Sequence, residues 1–223
     1  MSMMTIKDLE QVQAAFAEAG LDYQVELEDG SISIVGPSDI VSSEIAILFS
    51  RLLANWVYPR RLGRVFDSAG GFILPDANLK APDVSFVQAA RLRQSPRYFG
   101  ELVPDLVVEI KSQSDRIKTI EKKVKKFIEL GAIVGILIDP DEEKVTVYRA
   151  DAEPTVLENG EILTLPELFP GWELPVSELW PPIFTEEETE AWKSNSSDYI
   201  RDFQWEVGDL GGACQGKQLA LLL

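Results

Sequence analysis

The stretch VPDLVVEIKSQSDR, Val103 to Arg116, decides how the rest of the chain is read. Leu106 to Val108 form an apolar run of the kind that makes a buried strand. Glu109 and Lys111 follow, with Ile110 between them. Side chains on a strand alternate with period two, so a carboxylate and an ammonium at i and i+2 point to one face. An exposed Glu-x-Lys pair is an ordinary surface salt bridge worth at most about 1 kcal/mol. Two charges closing an otherwise apolar strand are a poor choice for stability alone, because burying them costs desolvation.

The residues on either side build a fold around this strand. SDRIKTIEKKVKKFIELG reads as a helix with Ser114 as N-cap and Gly131 as C-cap. AIVGILID is a fully apolar strand, and EEKVTVYRA alternates like its exposed neighbour across the turn PDEE. Strand, helix and strand from Leu106 to Asp139 make a βαβ unit, which implies a mixed sheet with a right-handed crossover. Upstream, residues 5–19 read as an amphipathic helix from Thr5 to Gly20, and DYQVELEDGSISIVGP is a hairpin about Asp29-Gly30. Ser38 caps a long helix that runs to Pro59. Short strands follow around Gly70-Gly71 and in APDVSFV.

The segment 154–183 is rich in Pro, Trp and Leu and reads as a wrap over one edge of the sheet. The expected organisation is one α/β domain over 1–183, with a mixed central sheet flanked by helices. Residues 184–223 read as an appendage, helical or frayed, whose closing LALLL needs burial, for instance against another subunit.

Composition narrows the chemistry. The chain has 223 residues, 45% of them hydrophobic, which is enough for a sizeable core. It contains no histidine, which excludes Ser-His-Asp and Cys-His schemes and His-ligated zinc. The single cysteine, Cys214, makes no internal disulfide and fits a reducing cytoplasm. No apolar run approaches the roughly 18–20 residues of a bilayer span, and the start has no secretory pattern, so no membrane association is expected. Catalysis would run on carboxylates, lysines, hydroxyls and hard cations.

The net charge of −16 runs against nucleic acid as a partner, but its distribution is uneven. Residues 51–126 carry 15 Lys and Arg against 8 Asp and Glu, leaving 6 against 29 elsewhere. Solvated faces of opposite sign give such a pattern, and so does a surface for an anionic ligand.

Acidic residues also stand where apolar ones belong. Asp83 follows Pro82 and leads the strand VSFV, Glu109 and Lys111 close the next strand, and Glu44 lies inside the long helix. Two carboxylates can hold Mg²⁺, and a lysine beside them can orient water or balance developing charge.

The run from APDVSFV to VPDLVVEIKSQSDRIKTIEKKVKKFIELGAIVGILIDPDEEKVTVYR resembles the Uma-type putative restriction endonucleases of the PD-(D/E)xK superfamily. The resemblance spans roughly 20–182 and implies a restriction-endonuclease-like fold, often homodimeric. It implies a Mg²⁺- or Mn²⁺-dependent endonuclease acting on DNA, with no nucleotide cofactor. Asp83, Glu109 and Glu44 would be the metal ligands and Lys111 the motif lysine. Arg116 and Lys123 match the family's turn arginine and helix lysine, expected at the nucleic acid. Many members lack the strand lysine, leaving the helix lysine as its substitute. This chain keeps Lys111, so alanine at Asp83, Glu109 or Lys111 is each expected to abolish cleavage. A catalytically silent binding or regulatory protein of the same fold is the alternative, and a self-assembling structural partner the third reading.

Overall fold

The computed structural model describes residues 3–187. The chain divides into two units, Met1–Pro181 and Pro182–Leu223. The first is described here, and the expectations for the tail from 188 onward lie outside the described residues.

Helix α1 (Ile6–Glu18) starts at Thr5, which exchanges hydrogen bonds with Asp8 in a capping box. Strands β1 (Gln24–Glu28) and β2 (Ser31–Val35) form the expected hairpin. Asp29 and Gly30 both take positive φ, 47° and 71°, as a two-residue turn of the type that matches strand twist requires.

Helix α2 (Ile40–Val57) is capped by Asp39 rather than Ser38; the Asp39 carboxylate accepts the Ser42 N–H. By length and composition α2 is long and apolar enough to cross a membrane. Its buried residues Ile45, Phe49, Leu53 and Val57 nonetheless recur at helical spacing and pack into the core.

The strands β3 (Gly63–Asp67), β4 (Phe72–Ile73), β5 (Leu79–Lys80), β6 (Val84–Gln88) and β7 (Leu106–Ile110) follow. Helix α3 (Ile117–Glu129) then leads to β8 (Val134–Asp139), β9 (Lys144–Arg149), β10 (Thr155–Glu158), β11 (Ile162–Thr164) and β12 (Glu173–Pro175). The main sheet has the order β10-β9-β8-β7-β6-β3, and β7 and β8 pair in parallel across α3 while every other pair is antiparallel. This is the βαβ unit inside a mixed sheet. A second sheet has the order β2-β1-β5-β4, and β11 pairs with β12.

Alternation sorts the core. Val84, Phe86, Leu106, Val108, Ile136 and Ile138 face α2. Val87 and Val107 meet Phe72 and Phe127 on the other face, while Leu137 packs on Ile120 and Val124 of α3. α1 closes over the second sheet through Leu9, Leu27 and Leu79.

Two further expectations are corrected. Ser114 does not cap α3: Arg116 takes the cap position without a side-chain bond. The Ser112 N–H and hydroxyl both donate to Asp115 instead, at 2.9 and 2.6 Å, and form a turn before the helix begins. The segment after 154 does more than cover an edge. β10 extends the sheet beside β9, and Leu163, Phe169, Trp172, Leu174 and Leu179 then fill the core shared with α2.

Candidate active site

Asp83 and Glu109 meet because of strand register. β6 and β7 pair with Val84 opposite Val108, and one further step places Asp83 opposite Glu109. The Asp83 Oδ2 accepts the Ile110 N–H at 2.7 Å, which fixes the carboxylate at the strand ends. Glu109 shares its side of β7 with Val107, the side covered by α3, and is only 5% exposed. Its Oε2 lies 3.0 Å from Lys123 Nζ, whereas its Oε1 is buried without a hydrogen-bond partner among the described residues.

Burial is the main force on Glu109 and pushes its carboxyl up to about 8; Lys123 opposes the shift, while Asp83 and Glu26 add to it. Asp83 is also raised, again by burial first, against the Ile110 N–H and Lys123 and with Asp115 and Glu26 reinforcing it. The pair resists carrying two negative charges.

Lys123 reaches the pair because it sits three residues after Ile120 and four before Phe127, both on the buried face of α3. Its ammonium also lies 3.7 Å from Glu26 Oε1. Burial works against its charge, but Glu109 and Glu26 outweigh that and raise its pKa.

Glu26 comes from β1. Leu27 pairs with Leu79 of β5, so Glu26 stands across from Lys80. Lys80 is buried and holds Glu26 at 3.0 Å and Glu28 at 2.9 Å, while the Ala81 N–H donates to Glu26 at 3.1 Å. Burial alone would raise the Glu26 pKa, yet Lys123, Lys80 and Ala81 leave it lowered. Three carboxylates and two ammonium groups thus gather between α3, the main sheet and the second sheet.

Among the residues expected from sequence, Asp83, Glu109 and Lys123 converge. Lys111 does not join them. It lies one residue past β7, its N–H donates to Ile138 O, and its ammonium pairs with Asp141 and, at 3.8 Å, with Asp139. The N–H bond continues the β7–β8 ladder by one residue, and Asp139 at the end of β8 and Asp141 in the turn after it take the charge. Glu44 does not join either. It is half-buried on α2, whose core residues pack on the opposite face of the sheet from Glu109, and it bonds to no described residue. Arg116 is exposed at the start of α3.

Sequence reasoning missed Glu26 and Lys80. In the hairpin VELEDG, alternation sets Glu26 on the face opposite Val25 and Leu27, and that face is buried only because Lys80 of β5 and Lys123 of α3, distant in sequence, come to lie against it.

Among the described residues, no group of three or more His, Cys, Asp or Glu side chains is placed to hold a metal ion. Asp83 and Glu109 form a pair of donors, with Glu26 engaged by the lysines. A pair suits Mg²⁺, which keeps several waters and binds one or two carboxylates together with substrate phosphates. The unpartnered Glu109 oxygen and the raised pKa values of Asp83 and Glu109 are what a bound cation would relieve.

A family model described as Uma2, putative restriction endonuclease, matches residues 8–177. A solved structure similar to this chain is a putative nuclease belonging to DUF820 from Anabaena variabilis, at 23% identity and TM-score 0.64. That match covers 73% of this chain and 94% of the other, and speaks for the fold. The DrdV–DNA complex matches at 15% identity and TM-score 0.37, covering 69% of this chain and 13% of that one. No curated protein matches.

Proposed function

The chain belongs to the Uma2 family of putative restriction endonucleases, and from that premise we propose that Asp83, Glu109 and Lys123 form a divalent-metal-dependent phosphodiesterase site acting on DNA. The observation that carries this reading is the buried Glu109 oxygen without a partner, beside Asp83, with Lys123 3.0 Å from the other oxygen. Leaving a carboxylate oxygen so placed costs stability unless something binds it.

Asp83 and Glu109 would hold Mg²⁺ or Mn²⁺, which supplies Lewis acidity toward a phosphoryl oxygen and makes water more acidic. The remaining work falls to the chain's own groups. Lys123 stays charged between Glu109 and Glu26 and balances the negative charge that develops as water adds to phosphorus and the ester oxygen leaves with a proton. Glu26 and Lys80 position Lys123. Arg116, Lys118 and Lys122 stand exposed at the start and along α3, where phosphate contact suits them.

Supercoiled plasmid incubated with Mg²⁺ or Mn²⁺ tests this reading. The protein should cut it, and Asp83→Ala and Glu109→Ala should not. Equal cleavage by all three proteins would remove the site.

The engagement of Lys111 with Asp139 and Asp141 favours a second reading, a binding protein of the same fold without catalysis. Metal binding without cleavage of any nucleic acid would support it.

A further inference from the structure

A cleft of about 470 Å³ opens between α1, the β3–β4 turn and the loop through residues 92–100. Its size falls within the range of small-molecule sites, about 300–1,000 Å³. Phe66, Phe72, Tyr98 and Phe99 line it, together with Glu10 and Arg97. Tyr98 is 50% exposed and its hydroxyl donates to Glu10 Oε1 at 2.8 Å. The second Glu10 oxygen bonds to no described residue, and neither does the Arg97 guanidinium.

The wall is built rather than loose. The Ile73 N–H donates to Gly100 O at 2.8 Å and the Gly100 N–H to Gly71 O at 2.9 Å, which ties the loop to β4. A methyl on Gly71 would come 2.8 Å from the Phe99 ring, and one on Gly100 2.9 Å from the Phe72 ring. Only glycine permits that closeness of backbone and ring. Phe66 and Phe72 meet edge to face at 5.6 Å, and Tyr98 tilts against Phe99 at 5.0 Å.

The cleft is also joined to the carboxylate cluster. Phe72 pairs across β4–β5 with Lys80, and Lys80 holds Glu26. An exposed aromatic face, a carboxylate oxygen free to accept N–H groups and an uncommitted guanidinium match the three parts of a nucleotide: its ring, its base edge and its phosphate.

We propose that this cleft takes one unstacked base of the substrate strand, stacked on Tyr98 with its edge toward Glu10 and the adjoining phosphate at Arg97. The inference rests on the nuclease reading for the source of the base, so its test is a binding measurement with the metal chelated, where cleavage plays no part. Fluorescence anisotropy with a labelled single-stranded DNA oligonucleotide, and with the same backbone made abasic, gives the comparison. The base-containing strand should bind more tightly, and Tyr98→Ala should weaken it by about 5- to 150-fold, the range of a lost base stack. Arg97→Ala should weaken both strands and reduce the salt dependence by about one phosphate contact.

Equal affinity for base-containing and abasic strands, or a Tyr98→Ala protein that binds as the unmodified one does, overturns the proposal; so does the absence of strand binding. The two readings fail separately. Metal-dependent cleavage with base-independent binding leaves the nuclease standing without this subsite. Base-dependent binding without cleavage does the reverse.

Discussion

Lys123 on α3 places its ammonium 3.0 Å from the Glu109 carboxylate on β7. The cation beside the strand carboxylate is therefore delivered by a helix crossing over the sheet, although Lys111 follows Glu109 by only two residues. Because α3 is pinned by Ile120, Val124 and Phe127, the position of the ammonium is set by core packing rather than by a flexible chain end.

Glu26 is expected to act through the lysines. It accepts from Lys80 at 3.0 Å and lies 3.7 Å from Lys123, so Glu26→Ala leaves Lys80 with Glu28 alone and frees Lys123 on one side. Removing one partner of a buried ion pair costs about 3 kcal/mol. Urea unfolding should show a loss of that order, and Glu26→Gln should retain more stability than Glu26→Ala. An unchanged midpoint in Glu26→Ala would contradict the positioning role.

The acidity of Glu109 makes a stability prediction with a definite sign. Its folded-state pKa, about 8, lies above the ordinary value of 4.5. Between those values the folded chain keeps a proton that the unfolded chain releases, so this group's contribution to stability falls as pH rises from about 4.5 to about 8. Glu109→Gln lacks that titration and should gain relative to the unmodified protein across the window, by on the order of a few kcal/mol. Denaturant unfolding at pH 5, 7 and 9 reads the difference directly; parallel curves for the two proteins would sink the argument.

Metal binding should oppose the same proton. If Asp83 and Glu109 hold the cation, calorimetry with Mg²⁺ or Mn²⁺ should show affinity rising through pH 8 with protons released on binding. Saturating metal should raise the melting temperature, by mass action equivalent to about 2.7 kcal/mol at one hundred times Kd. Glu109→Gln and Asp83→Asn should lose both effects. Pronounced binding that ignores pH would place the cation elsewhere.

Local pattern carried much of the fold and only part of the site. The unit β7–α3–β8 was legible because two apolar runs flank a helix with a clear apolar stripe, and the hairpin because Asp29 and Gly30 suit positive φ. Cap positions moved: Asp39 displaced Ser38, and Ser114 lies inside the Ser112–Asp115 turn, two residues before Arg116 takes the cap position of α3. Asp83 and Glu109 stood out because acids at the ends of apolar strands are conspicuous. Glu26 and Lys80 were invisible because their burial depends on distant segments, β1, β5 and α3, meeting on one face of the second sheet. The pairing of Lys111 was not legible because Asp139 and Asp141, which engage its ammonium, come beside it only through the parallel β7–β8 register.

Plasmid cleavage in Mg²⁺ by Lys123→Met and Lys111→Met, side by side with the unmodified protein, tests the central claim most directly. The geometry predicts that Lys123→Met loses about 100-fold or more in rate, as when a charge-stabilising donor is removed, while Lys111→Met stays within a few-fold. Full activity in Lys123→Met with loss in Lys111→Met would contradict it and return the catalytic role to the strand lysine.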